Sequence, residues 1–174
     1  MKKMNSRLNG FTLMEVIVNI SIMMIVIVVS GSMLISGMNI FFANAEALQQ
    51  KNIADAVTDL ISENLIYADE ISDSLSENFD DKNTVAFELS DSGQILIKYS
   101  GSDEFDNAFG EQFYNMYSTG YSVKFSSQDY AVVVSYVYDD DGEVVYSSEK
   151  SVILMNKPSV TLPYAENSPL YISY

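Results

Sequence analysis

Hydrophobic and polar positions divide the chain into three stretches. From Val16 to Ala45 no charged residue occurs, and Val, Ile and Met dominate on every side of a helix drawn through them. A helix apolar all round is one that is buried or faces lipid. At about 1.5 Å per residue the stretch reaches about 45 Å, longer than the roughly 30 Å hydrocarbon core of a bilayer. From Glu46 the pattern becomes amphipathic. Ile53, Val57, Leu60, Ile61, Asn64 and Leu65 recur at three- and four-residue spacing, with Asn64 the one polar member. Together these stretches predict one nearly continuous helix from Thr12 to about Asp69. Residues 11–45 are its membrane or filament-core part, and residues 46–77 are assigned to the amphipathic continuation. The stripe should be buried against the domain that follows.

Residues 78–174 read as a β-rich head. Asn78 to Asn83 is polar and turn-like. Val85, Phe87 and Leu89 then alternate with Glu88 and Ser90, Ser90-Asp91-Ser92-Gly93 supplies a turn, and Ile95 to Tyr99 returns as a partner strand. Periodicity does not decide residues 103–121. Short strands are predicted over Ser122–Ser126, Tyr130–Tyr138, Glu143–Tyr146 and Ser151–Met155, followed by an irregular tail punctuated by Pro158, Pro163 and Pro169. The fold class this implies is α+β: a long N-terminal helix, hydrophobic then amphipathic, packed on a small antiparallel sheet.

Two side-chain clusters have more than one reading. Asp55, Asp59 and Glu63 form an acid row four residues apart, with Lys51 placed to offset only the first; such a row is either a solvated face or a surface for a basic neighbour. Asp139, Asp141 and Glu143 offer oxygen ligands of the kind calcium takes. Their spacing is not that of an EF-hand, and Asp141-Gly142 between alternating strands is a strong hairpin signal, so a turn is expected and no metal site.

Composition narrows the chemistry. The 174 residues contain no cysteine and no histidine, and the formal net charge is −15. Disulfides, thiolate metal sites and the commonest neutral-pH acid–base group are therefore excluded, no cofactor is expected, and the chain is not expected to be an enzyme. The leader, residues 1–10, holds Lys2, Lys3 and Arg7 without an acid, which leaves six lysines against 24 acids beyond it. So acidic an exported part disfavours direct nucleic-acid binding. Among the chain's 12 tyrosines, Tyr99, Tyr130, Tyr136, Tyr138 and Tyr146 fall in predicted strands. Aromatic β-propensity explains them; a sugar-stacking face or an aromatic track is the alternative.

The junction between leader and apolar run carries the functional signal. A basic leader before an apolar run keeps the N-terminus cytoplasmic while the head is exported. Glu15 stands alone just inside the run, and an ionised group there costs about 2.5–3.5 kcal/mol at membrane depth unless it finds a partner. The residues Gly10-Phe11-Thr12-Leu13-Met14-Glu15, with the basic leader and the apolar run, resemble the class III signal of type IV prepilins and pseudopilins. In that family a prepilin peptidase cuts after the glycine and methylates the new amino terminus, and the apolar helix stays on the mature protein. The resemblance spans residues 1–45. It implies cleavage between Gly10 and Phe11, N-methylation of Phe11, and an assembly role for Glu15.

The partners implied are the peptidase, other pilin or pseudopilin subunits, an inner-membrane assembly platform, and the lipid bilayer before assembly. A new Phe11 amine and the Glu15 carboxylate are a natural neutralising pair. If they come from different subunits, each buried charge is satisfied only on assembly, and breaking such a pair costs about 3–5 kcal/mol. Many major pilins have a proline partway along the run and a C-terminal disulfide. Here Ser30-Gly31-Ser32 stands in that neighbourhood and cysteine is absent, departures that suit a minor subunit.

Other readings of the N-terminal region differ in what is cut. Ala43-Asn44-Ala45 matches the small-residue pattern of an ordinary secretory cleavage site, although the apolar run far exceeds the roughly 7–15 residues of a signal h-region. An uncleaved segment would make the chain a membrane-anchored surface binding module that never polymerises. Ser30, Gly31, Ser32, Ser36 and Gly37 in the second half of the run are either a section able to stretch in a filament or ordinary transmembrane composition.

Overall fold

In the computed structural model of the chain, residues 12–73, 83–127, 129–160 and 167–174 are described, Glu111 by its backbone only. Helix α1 runs Leu13–Leu65. The chain divides into two compact units between Glu46 and Ala47, so the end of α1 belongs with the β-rich part. Its strands are β1 Glu70–Ser72, β2 Thr84–Leu89, β3 Ile95–Tyr99, β4 Asp106–Asn107, β5 Ser118–Ser127, β6 Tyr130–Tyr138, β7 Val144–Ile153, β8 Ser159–Val160 and β9 Leu170–Ser173, with a one-turn helix α2 at Glu111–Tyr114. The fold is α+β.

The strands form two sheets rather than the single antiparallel one expected. The larger is six-stranded in the order β4-β3-β2-β9-β1-β8, and the smaller is β5-β6-β7. All neighbours are antiparallel except β1 and β8, which makes the larger sheet mixed. One core joins Val57, Ile61 and Leu65 of α1 to Phe87, Ile95, Leu170 and Ile172 of the larger sheet and to Tyr121, Val123 and Val133 of the smaller. Removing the Ile61 side chain to Ala, at a position wholly buried, costs about 2–5 kcal/mol.

The buried stripe of α1 is Ile53, Ala54, Val57, Thr58, Ile61, Ser62 and Leu65. Leu60 and Asn64 lie at its margin, half-buried. Thr58 and Ser135 lie inside the core with their hydroxyls 2.6 Å apart. Ser135 Oγ donates to the Ala54 carbonyl at 2.7 Å, so the Thr58 hydroxyl is the donor to Ser135. This chain ties α1 to β6 with both buried hydroxyls satisfied, as burial demands. Asn64 Nδ2 donates to the Leu60 carbonyl, and the Tyr174 hydroxyl reaches Asn64 Oδ1 at 2.9 Å. The break in the apolar stripe thus anchors the C-terminal residue.

Several expected boundaries are corrected. The helix expected to reach about Asp69, in the segment assigned to residues 46–77, stops at Leu65 because the backbone just after it pairs with distant residues. Met155 donates its N–H to the Ile66 carbonyl at 2.8 Å, and Asp69 donates to Ser173 at 2.8 Å. Strand β5 begins at Ser118, four residues earlier than expected, with Thr119, Tyr121 and Val123 turned into the core. The two short strands expected over 143–155 are one strand, β7, in register with β6 through the polar residues 147–151. The C-terminal tail expected to be irregular ends in β9, whose four residues are all buried between β2 and β1. The turn expected at Asn78 to Asn83 lies, but for Asn83, outside the described residues.

Candidate functional site

The apolar part of α1 is the feature the rest of the fold does not use. An 18-residue window reaches a mean hydropathy of 2.5 with none of it buried within the molecule, making the helix long and apolar enough to cross a membrane. Val28, Met33, Leu34 and Phe41 are each at least 67% exposed. Monomeric soluble proteins rarely present more than a few hundred Å² of continuous apolar surface, so this stretch requires lipid or protein around it. The backbone is regular α-helix through Ser30 to Gly37, and a side chain added at Gly31 or Gly37 would meet no atom within 4 Å. Ser21 and Ser32 return their hydroxyls to the carbonyls of Ile17 and Val29, both at 2.8 Å, which satisfies them without water.

The entrance to this helix is a capping box. Thr12 Oγ1 accepts the Glu15 N–H at 3.3 Å, and Glu15 Oε2 accepts the Thr12 N–H at 2.8 Å and its hydroxyl at 3.0 Å. Such reciprocal bonding satisfies backbone donors that a helix start leaves orphaned. The Thr-x-x-Glu signature was present in the sequence and identifies the N-cap as Thr12. Glu15 thus has a partner within its own chain, through one oxygen. Both of these bonds go to Oε2. Gly10 and Phe11, the residues of the expected cleavage, lie outside the described residues, as does the leader. Ala43, Asn44 and Ala45 are helical and exposed.

Two members of the acid row on α1, Asp55 and Asp59, have partners on β7, while Glu63 is exposed. Asp55 pairs with Lys51 and accepts from the Ser148 hydroxyl at 2.7 Å, and Lys150 of β7 reaches Asp59 at 2.6 Å. The ammonium of Lys51 and then the Ser148 hydroxyl hold the Asp55 carboxyl below its usual value. These partly exposed pairs are each worth no more than about 1 kcal/mol.

Asp139, Asp141 and Glu143 sit in the β6–β7 turn. Asp139 Oδ1 accepts the N–H groups of Asp141 at 3.1 Å and Glu143 at 2.9 Å, while Gly142 N–H reaches the Asp139 carbonyl at 3.0 Å. The Asp139 carboxylate therefore organises the turn. Among the described residues no three His, Cys, Asp or Glu side chains gather as metal ligands.

No family model matches this chain, and no curated protein or solved structure matches it either.

Proposed function

We propose that the chain is a structural subunit, and a minor one, of a type IV pilus or pseudopilus. A prepilin peptidase matures it between Gly10 and Phe11, and it then assembles through its N-terminal helix with other pilin or pseudopilin subunits. One observation carries this reading: in the sequence, Gly10-Phe11-Thr12-Leu13-Met14-Glu15 leads into an apolar run that holds no charge from Val16 to Ala45 and is exposed along its helix. In the bilayer the run is covered by lipid, and in a filament by the same helix of neighbouring subunits. Before assembly the subunit is a single-pass protein of the cytoplasmic membrane with its N-terminus cytoplasmic and residues 47–174 exported.

A second reading has its own support. The Thr12–Glu15 cap satisfies one oxygen of the lone carboxylate inside one chain, so a non-polymerising membrane-anchored binding module needs no partner subunit at that residue. The two readings separate on fractionation. Detection of the chain in filaments sheared from cells that carry an assembly platform is the expected result. Its confinement to the membrane in such cells, with other subunits present in the filaments, would favour the anchor.

A further inference from the structure

A cleft of about 580 Å³ opens where three turns converge: residues 90–94 between β2 and β3, residues 115–119 leading into β5, and residues 138–140 at the end of β6, with Asn167 beside them. That volume lies within the roughly 300–1,000 Å³ of small-ligand sites. The cleft lies entirely within residues 47–174, so what it binds is independent of how the N-terminal segment is processed. No basic side chain is among its lining residues, which disfavours an anionic ligand.

The hydrogen bonds behind the lining fix the direction of two side-chain amides. Asn107 Oδ1 accepts the N–H groups of Phe109 at 3.2 Å and Gly110 at 3.1 Å, so its Nδ2 is the donor to Gln94 Oε1 at 2.6 Å. The Gln94 oxygen is thereby occupied and its NH2 group is left to another partner. Asn167 Oδ1 accepts the Tyr121 N–H at 2.9 Å, with the same consequence. Neither amide can flip without placing donor against donor. Two lining residues are thus held as hydrogen-bond donors. Asp91 and Asp140, at the tips of the two hairpin turns, are acceptors.

Bare backbone brings these groups together. A Cβ on Gly93, at φ 70°, would lie 2.5 Å from Ser118 Cβ, and the Gly93 carbonyl accepts both the N–H and the hydroxyl of Thr119, at 2.7 and 2.8 Å. The β2–β3 turn is locked onto β5 by that close approach. A Cβ on Gly120 would meet Asn167 Oδ1 at 2.7 Å and the Tyr138 ring at 2.9 Å. The Asn167 amide and the Tyr138 ring therefore lie side by side over the Gly120 backbone.

We propose that this cleft binds a neutral carbohydrate. Each sugar hydroxyl both donates and accepts, so recognition requires fixed donors next to fixed acceptors. The apolar face of a sugar ring requires an aromatic surface beside them. Gln94 and Asn167, Asp91 and Asp140, and Tyr138 supply the three kinds of group, and the amides are oriented before the ligand arrives, which lowers the cost of binding.

The test is saturation-transfer NMR on the full-length protein, in a detergent without a sugar headgroup, with glucose, galactose, mannose and N-acetylglucosamine as probes. Binding of at least one sugar is expected. Gln94→Glu and Asn167→Asp each keep the oxygen that accepts the internal hydrogen bond and remove the NH2 donor, so each should weaken binding by about tenfold or more with the melting temperature retained. Asp140→Ala, at an exposed tip, should weaken it as well without touching an internal bond. No binding of any of the four sugars, or equal binding by all three variants, would overturn the proposal. So would oligolysine binding that strengthens in Gln94→Glu and Asn167→Asp in place of sugar binding, which would assign the cleft to a basic peptide.

Discussion

Glu15 caps its own helix through Oε2, and a cap made through one oxygen does not preclude a contact with a second subunit. If that carboxylate neutralises the Phe11 amine of a neighbouring subunit, Glu15→Leu should enter the membrane at least as readily as the wild type. It should fail to enter filaments, because the neighbour's cation would be buried without an anion. Glu15→Gln should fail nearly as completely, since it keeps shape and polarity but loses the charge. Immunodetection in sheared filaments against membranes reads both variants, and normal incorporation of both would contradict the pairing. The buried tyrosines give the head a separate signature. Burial pushes the Tyr114 and Tyr174 hydroxyls up to about 12, and raises Tyr121 and Tyr171 as well. A phenol whose value is raised by folding contributes stability that is whole below its unfolded value, near 10.0, and is lost as pH rises through the folded one. Denaturant midpoints followed by tyrosine fluorescence should therefore hold steady on the acid side of that value and fall as pH approaches about 12. A midpoint that rises over that interval would contradict the burial of these hydroxyls.

Among the elements, the C-terminal strand β9 is the one whose importance its sequence conceals. Four residues are too few for alternation to register, and the prolines before them suggest a loose tail. Yet Leu170 and Ile172 are wholly buried in the main core, and Tyr171 packs on Ala86 and Phe105 on the opposite face of the sheet. Leu170→Ala should cost about 2–5 kcal/mol, measured as a lower denaturant midpoint. A change comparable to that of an exposed residue would mean that β9 is not a central strand. Elsewhere, legibility followed the length of the pattern. The long apolar and amphipathic runs of α1, the β2–β3 hairpin and the Tyr130–Tyr138 strand could all be read, because each repeats its period several times. The start of strand β5 is not legible because Thr119 turns inward as an apolar residue would, and Gly120 and Ser122 carry little contrast. Strand β7 was divided because an edge strand tolerates Glu149 and Lys150 in its middle. The helix end at Leu65 was set by bonds to Met155 and Ser173, far along the chain, which no local pattern contains. The Thr12–Glu15 capping box was legible and could have been read from its spacing alone. The orientation of Gln94 and Asn167 in the cleft could not, because it depends on Asn107 and Tyr121 across the fold.

On the scale of the whole molecule, the chain joins two parts with opposite requirements. Residues 47–174 bury their own core and carry a strongly acidic surface suited to water, whereas the helix from Leu13 to about Phe42 buries none of its apolar side chains. Lipid alone would satisfy that helix, and so would neighbouring helices in a fibre; under the proposed function, cleavage after Gly10 would separate a subunit awaiting assembly from a permanent anchor. Mass spectrometry of the amino terminus of the mature protein, from cells with an active prepilin peptidase, reads that junction directly. The account requires a chain that begins at Phe11 and carries a single N-methyl group, which leaves the amine its positive charge. A chain beginning at Glu46 would establish ordinary signal-peptide cleavage, and one retaining Met1 to Gly10 would establish a simple anchor; either contradicts the filament subunit.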